Sequence, residues 1–245
     1  MPAPLLEVEN VGKRFGGFVA LESINLSVAG GERVGLIGPN GSGKSTMVNC
    51  LCGTLHNETG SVRFDGQRMD GLSAHERTRR GMARSFQLPR PFMTLTVAEN
   101  LRIPLLYAAH SRRGRSLTQS EIEARCHELA GLVGLAEKAR KLPRDLTQVE
   151  MRKLELARAI AADPKLLIAD EAMAGLSQSE VDDIVALLIS LNERGITVIM
   201  IEHIMRAVMA FSQRLVVLVS GKKIADGPPQ EVVSHPEVIG AYLGE

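Results

Sequence analysis

Residues Gly38-Pro39-Asn40-Gly41-Ser42-Gly43-Lys44-Ser45-Thr46 carry the spacing G-x-x-x-x-G-K-[ST]. Glycines at these places let backbone N–H groups turn inward around an anion, because a Cβ would block the close approach. The loop follows a short apolar run, Val34-Gly35-Leu36-Ile37, and precedes a predicted helix, Met47 to Cys52. Strand, glycine loop and helix are the context in which this spacing becomes a phosphate site. The helix adds its positive N-terminal end. Lys44 is placed to reach the β- and γ-phosphates of a nucleotide, and Ser45 to offer its hydroxyl to Mg²⁺.

A second group of acids and amides sits where other strands are expected to end. Leu166-Leu167-Ile168-Ala169 reads as a buried strand that emerges at Asp170-Glu171. In an open α/β sheet, ligands gather at the carboxyl ends of strands. Asp170 is then placed to hold Mg²⁺ through water, and Glu171 to accept a proton from, or orient, an attacking water. An isolated Asp-Glu pair would be two solvated acids; the phosphate loop upstream gives it a task. His203 ends the next apolar strand, after Glu202, on the same expected edge, where it would touch a γ-phosphate and sense its loss. Gln87, after Ala83-Arg84-Ser85-Phe86, offers an amide to Mg²⁺ or water. Phe15 is one of eight aromatics in a chain without tryptophan, and its face could stack on adenine or fill a core. Arg112, Arg113 and Arg115 read as a solvated connection.

Several elements must position these residues. Ile24, Leu26 and Val28 alternate with polar neighbours, as do Val62 and Phe64, so the chain up to about Gly71 reads as strand-rich. Helical segments follow from about Pro89. Thr96…Glu99 has capping-box spacing and opens Val97 to Ala109, with a kink expected at Pro104. Thr118…Glu121 opens a helix with Ile122, Cys126, Leu129 and Val133 on one face, and Glu150 to Ala162 closes at Asp163-Pro164. Ile196 to Ile201 reads as a second buried parallel strand. The helix between the two strands opens at Ser177…Glu180, carries Val181, Ile184, Val185, Leu188 and Leu191, and ends at Gly195. This alternation predicts an α/β fold in one domain over 1–245: a nucleotide-binding core over about 1–88 and 163–245, and an inserted helical subdomain over about 89–162.

Composition narrows the classes. With 245 residues and 44% hydrophobic residues the chain builds its own core. A net charge of +1 gives no global reason to bind nucleic acid. The three cysteines, Cys50, Cys52 and Cys126, form no CxxC pair or His/Cys cluster, which points to a reducing compartment. No signal peptide is expected at the start, and no apolar run approaches the ~20 residues of a membrane span; Leu215 to Val219 reads as a strand.

These residues in this order resemble the ATPase subunit of an ABC transporter, along essentially the whole chain. The resemblance implies a mainly parallel P-loop core sheet, an N-terminal antiparallel β subdomain and the inserted helical subdomain. It gives Phe15 the adenine-stacking place, makes Gly38 to Thr46 the Walker A loop, and makes Gln87 the Q-loop residue that couples to a membrane subunit. Leu166 to Asp170 becomes Walker B, with Glu171 as catalytic glutamate and His203 as switch histidine. The subgroup it resembles is the ATPases of branched-chain (hydrophobic) amino-acid importers. The segments that carry this are Arg14-Phe15-Gly16-Gly17, Gly81-Met82-Ala83-Arg84-Ser85-Phe86-Gln87, Ala172-Met173-Ala174-Gly175-Leu176, Ile201-Glu202-His203 and the tail from Val238 to Glu245. ATPases of lipopolysaccharide export and urea import are similar too, and a soluble ABC ATPase is a further alternative.

Implied with the family are ATP and Mg²⁺, transmembrane permease subunits, a second ATPase subunit in a homo- or heterodimer, a solute-binding protein at one remove, and a peripheral place on the cytoplasmic face of the membrane. One motif departs: where the family has L-S-G-G-Q, this chain has Leu146-Thr147-Gln148-Val149-Glu150, with both glycines gone. That signature serves the nucleotide on the partner's loop, so the departure favours a partner with a fuller signature.

Overall fold

The computed structural model describes residues 3–86, 89–109 and 117–243. Gln87 and the arginines Arg112, Arg113 and Arg115 lie outside the described residues.

Two sheets form the frame. β1 (Leu6–Phe15), β2 (Phe18–Val28), β4 (Thr59–Phe64) and β5 (Gln67–Arg68) make an antiparallel sheet in the order β2-β1-β4-β5. Along β2, buried Ile24, Leu26 and Val28 alternate with exposed Asn25 and Ser27, the period of a strand with one wet face. The second sheet has six strands in the order β10-β9-β3-β8-β7-β6. Here β3 (Arg33–Ile37), β6 (Met82–Ser85), β7 (Leu166–Asp170), β8 (Thr197–Ile201) and β9 (Arg214–Val219) run parallel. β10 (Lys222–Gly227) closes the edge antiparallel to β9. The runs read as buried strands are buried at every position of β7 and β8, as parallel strands covered on both faces must be.

Helices start where the caps are. Thr96 and Glu99 form the expected capping box of α3 (Val97–Pro104), and Thr118 and Glu121 that of α4 (Gln119–Leu132). Thr147 with Glu150 opens α5 (Gln148–Ala161), and Ser177 with Glu180 opens α6 (Gln178–Glu193). Helix α1 (Lys44–Cys52) begins on the glycine loop, three residues before the expected start. The kink expected at Pro104 is a change of helix type: α3 ends at the proline and a π-helical turn, Leu105–Ala109, continues it. Proline has no N–H to give to the preceding turn, so the helical ladder must be re-spaced there.

Buried apolar residues fall into two clusters on opposite faces of the parallel sheet. One runs from Leu101 and Leu129 of the helical segment through Ala169 and Met200 to Leu188 and Leu215. The other joins Leu36, Val48, Ile168 and Ile201 to the antiparallel sheet through Leu6, Val28 and Phe64. Helix α1 lies between the sheets and is fixed at its far end by Arg77 of α2 (Ala74–Arg79), only 1% exposed. The Arg77 guanidinium donates to the Cys50 and Leu51 carbonyls, each at 2.7 Å, and to Leu72 at 3.2 Å. The Cys50 and Leu51 carbonyls lie in the last turn of α1, where intrahelical partners run out, and a cation there complements the helix dipole. Arg77→Met keeps the apolar stem but strands those carbonyls. It is expected to cost about 2–4 kcal/mol and lower the melting temperature by about 5–10 °C, read by urea and thermal unfolding. A loss within the error of the wild-type curve would show that α1 is anchored elsewhere.

Candidate functional site

The glycine loop leaves β3 at the middle of the parallel sheet. Its glycines are dictated by contact: a Cβ on Gly38 would overlap the Leu218 carbonyl oxygen, and one on Gly43 (φ +100°) would lie 2.7 Å from the Ala20 carbonyl oxygen. The loop is thus wedged between β9 and β2, and only bare backbone fits. It lines a cleft of about 230 Å³ together with Phe18, Ala20 and Glu171. Pro39 and Gly38 do not themselves line that cleft; their carbonyls accept the Lys44 ammonium at 3.0 and 2.7 Å, with the Ser42 hydroxyl at 3.5 Å. Burial holds Lys44 below the ordinary lysine range, and the Glu171 and Asp170 carboxylates oppose that shift. The charge survives inside a half-buried loop because three oxygens and two nearby acids compensate it.

Strand order brings the other residues to the same edge. β8 is the neighbour of both β3 and β7, so the loop, His203 after β8 and Asp170-Glu171 at the end of β7 share one rim. The backbone turns sharply at Glu171, whose φ of +45° is unusual for a side-chain-bearing residue, and its N–H donates to the Ile201 carbonyl at 2.9 Å. Asp170 is 6% exposed and bound by Arg84 of β6: Nη2 and Nε both reach its Oδ2, at 2.6 and 3.2 Å. Arg84 also donates to Asn49 Oδ1 of α1 at 2.7 Å and lies over the Phe86 ring. The guanidinium therefore ties the second acid to the helix that follows the loop.

Ser45, Asn49, Arg84 and Asp170 line one further cleft, of about 440 Å³. Its two candidate cation ligands are a hydroxyl and a carboxylate oxygen. Hard oxygen donors, few in number, suit Mg²⁺, which keeps several waters and takes the rest of its shell from phosphates. Among the described residues no group of three His, Cys, Asp or Glu side chains could hold a metal alone.

Two anticipated residues are not among those lining the loop cleft. The His203 side chain is 65% exposed, its Nδ1 3.8 Å from Glu202 Oε2. Phe15 is 48% exposed at the tip of the β1–β2 hairpin, under the Lys13 ammonium, and is not among the residues lining the loop cleft. Its cross-strand partner Phe18 is. The two-residue turn Gly16-Gly17 was the available signal, since it places residues 15 and 18 opposite each other. Arg84 and Asn49 were also missed, because their partnership with Asp170 joins three elements far apart in the chain.

The altered signature is engaged within this chain. The Thr147 hydroxyl accepts from its own Glu150 N–H at 3.4 Å, and Glu150 binds Lys138 at 2.6 Å. Gln148, in place of a glycine, packs on Gly175 of the turn after Glu171, where a Cβ would meet its Nε2 at 2.7 Å.

Comparison with known proteins places this arrangement. The ABC transporter profile matches residues 21–174, and a second profile, branched-chain amino acid ATP-binding cassette transporter, matches residues 222–245. The chain is 39% identical to the high-affinity branched-chain amino acid transport ATP-binding protein BraF of Pseudomonas aeruginosa, over the full length of both. It is 36% identical to LivG of Escherichia coli, again with full coverage of both. A crystal structure of a nucleotide-free ATP-binding cassette from an ABC transporter superposes with a TM-score of 0.88 at 30% identity, covering 99% of this chain and 100% of that one. The ADP conformation of such a cassette gives 0.88 at 31%, covering 99% of each. The α/β fold with its mainly parallel sheet is thus that of the ABC cassettes, and the chain belongs to the ABC transporter family of ATP-binding proteins.

Proposed function

We propose that this chain is the ATP-hydrolysing subunit of a membrane importer for branched-chain or other hydrophobic amino acids. The observation that carries the reading is likeness over the full length to BraF and LivG, with a separate match over residues 222–245. No helix among the described residues is long and apolar enough to cross a membrane, so passage of solute falls to permease subunits on whose cytoplasmic side this chain would sit.

In this reading ATP lies along the loop. The N–H groups of the first turn of α1, from Lys44 to Thr46, receive the phosphates, and the Lys44 ammonium exchanges the Gly38 and Pro39 carbonyls for phosphate oxygens. Phe15, or Phe18 across the hairpin, meets the adenine. Ser45 and Asp170, with Gln87, would hold Mg²⁺, which supplies charge neutralisation on the β- and γ-phosphates. Glu171 orients the attacking water or takes its proton. His203 contacts the γ-phosphate once a second cassette closes over the site. Catalysis is positioning and charge compensation, as phosphoryl transfer requires. Binding energy of ATP for the closed pair is what shifts the helical segment, about 89–162, and through it the permease. Engagement of Thr147 and Gln148 within this chain supports a heterodimer in which the second ATPase brings a fuller signature.

Tagged Glu171→Gln protein, purified from detergent-solubilised native membranes with ATP, is expected to bring down permease subunits, a second ATPase and an amino-acid-binding protein. Recovery of lipopolysaccharide-export or urea-import subunits would redirect the cargo; recovery of ribosomal or chromosomal proteins would break the transporter reading. The same variant is expected to bind ATP normally and to turn over at least about 100-fold more slowly, and near-normal turnover would remove Glu171 from its role. Arg84→Met leaves the buried Asp170 carboxylate unpaired, so about 2–4 kcal/mol of stability should be lost in nucleotide-free buffer. Saturating Mg·ATP should return much of that loss in a thermal-shift assay, because the cation replaces the guanidinium charge. An equal deficit with and without Mg·ATP would mean that Asp170 does not face the cation.

A further inference from the structure

The turn that follows Glu171 is gripped by two buried charges. From one side, Glu202 Oε1 accepts the Met173 N–H at 2.9 Å. From the other, Arg152 of α5 donates through Nη2 to the Ala174 carbonyl at 3.1 Å. Glu202 is 2% exposed and Arg152 6%. Each makes that bond and leaves charge idle: Glu202 Oε2, and Arg152 Nε and Nη1, are buried without a hydrogen-bond partner. Around the Glu202 carboxylate lie the His203 ring, with Nδ1 3.8 Å from Oε2, the His203 backbone N–H and the Glu171 carboxylate. The other acid near Arg152, Glu155, already takes Arg158 at 2.8 Å. Burial raises Glu202 above the ordinary carboxylate range, and it lowers Arg152 against the pull of Glu202 and Glu155.

Stability does not explain this arrangement. A buried charge with unused hydrogen-bonding capacity costs several kcal/mol, and apolar residues of similar size usually do as well or better. Two bonds to consecutive residues of one turn have a different use. Glu171 sits at positive φ, a conformation that persists only when its surroundings over-determine it.

We propose that Glu202 and Arg152 are a positioning pair for Glu171, holding the Met173–Ala174 turn by its N–H and its carbonyl and tying its geometry to α5 and to His203. Because both bonds hold one turn, displacement of α5 is felt at the water-activating carboxylate. Neither residue touches substrate. The inference rests on the reading of Glu171 given above.

The test is a double-variant cycle in the full-length chain, purified with its permease and second-ATPase partners, with ATP affinity, kcat and melting temperature read for each preparation. Glu202→Gln keeps an oxygen for the Met173 N–H and removes only the charge; Arg152→Gln removes its counterpart. Each is expected to lower kcat about tenfold with the ATP Kd within about twofold, and the double variant to be no slower than the worse single. Arg152→Lys, which keeps charge and stem, is expected to stay within about threefold of wild type. Full kcat in Glu202→Gln, or losses that multiply to about 100-fold in the double variant, would overturn the pair. If Arg152→Gln does not fold, Arg152→Lys against Glu202→Gln decides: the first near wild type and the second slow upholds the pair, and both at wild-type rate overturns it. Glu171→Gln is measured alongside. Normal turnover there removes the reading of Glu171 itself, whereas slow Glu171→Gln with fast Glu202→Gln removes the positioning pair alone.

Discussion

The packing of one bare-backbone loop between two sheets governs the rest of this molecule. Gly38 passes against the Leu218 carbonyl of β9, and Gly43 against the Ala20 carbonyl of β2. Any side chain at either place would push the sheets apart. The turn after β9 completes the clasp: Gly221 donates to the Ser42 carbonyl at 3.0 Å and accepts from the Glu22 N–H at 2.8 Å. Because the loop is held on both flanks, its backbone is fixed by the fold itself, and a backbone fixed in advance spares a ligand the cost of ordering it. It also explains why the antiparallel sheet exists in the position it does. β2 supplies a wall of the loop, and its hairpin with β1 carries Phe18 to the mouth, with Phe15 opposite it across the turn.

Charge follows from the same constraint. A half-buried ammonium needs compensation, and the chain supplies it from opposite directions: loop carbonyls on Lys44, and acids from the end of β7. Those acids need compensation in turn, which Arg84 gives to Asp170. The result is a set of mutually compensated charges at one rim. The turn at Glu171 is part of that rim, and its positive φ sets the direction in which the carboxylate leaves the strand.

Local signals were legible in the sequence and non-local partnerships were not. The spacing of glycines with Lys44-Ser45 named the loop, and period-two burial named β2. Unbroken apolar runs named β7 and β8, and Thr96, Thr118 and Ser177 with their glutamates marked helix starts. Each of those is written within a few residues. Arg84 reaching Asp170, Arg77 capping α1, and Arg152 with Glu202 holding residues 173 and 174 join residues 20 to 90 apart, and arginine in a sequence gives no sign of where its fork will land. Pro104 was readable as a disturbance, but whether the chain would bend or re-space its ladder depended on the packing of Leu101 and Leu105.

The claim on which the account stands is that the loop is a nucleotide phosphate site in which Lys44 trades loop carbonyls for phosphate oxygens. Calorimetric titration of ATP and ADP into the wild-type chain and Lys44→Met measures it directly. Saturable 1:1 binding by wild type is expected, with a loss of at least about tenfold in affinity for both nucleotides in the variant, since charge-assisted bonds to phosphate are removed. Equal affinities in the two proteins would contradict it, and would leave the ammonium as a structural prop for the loop.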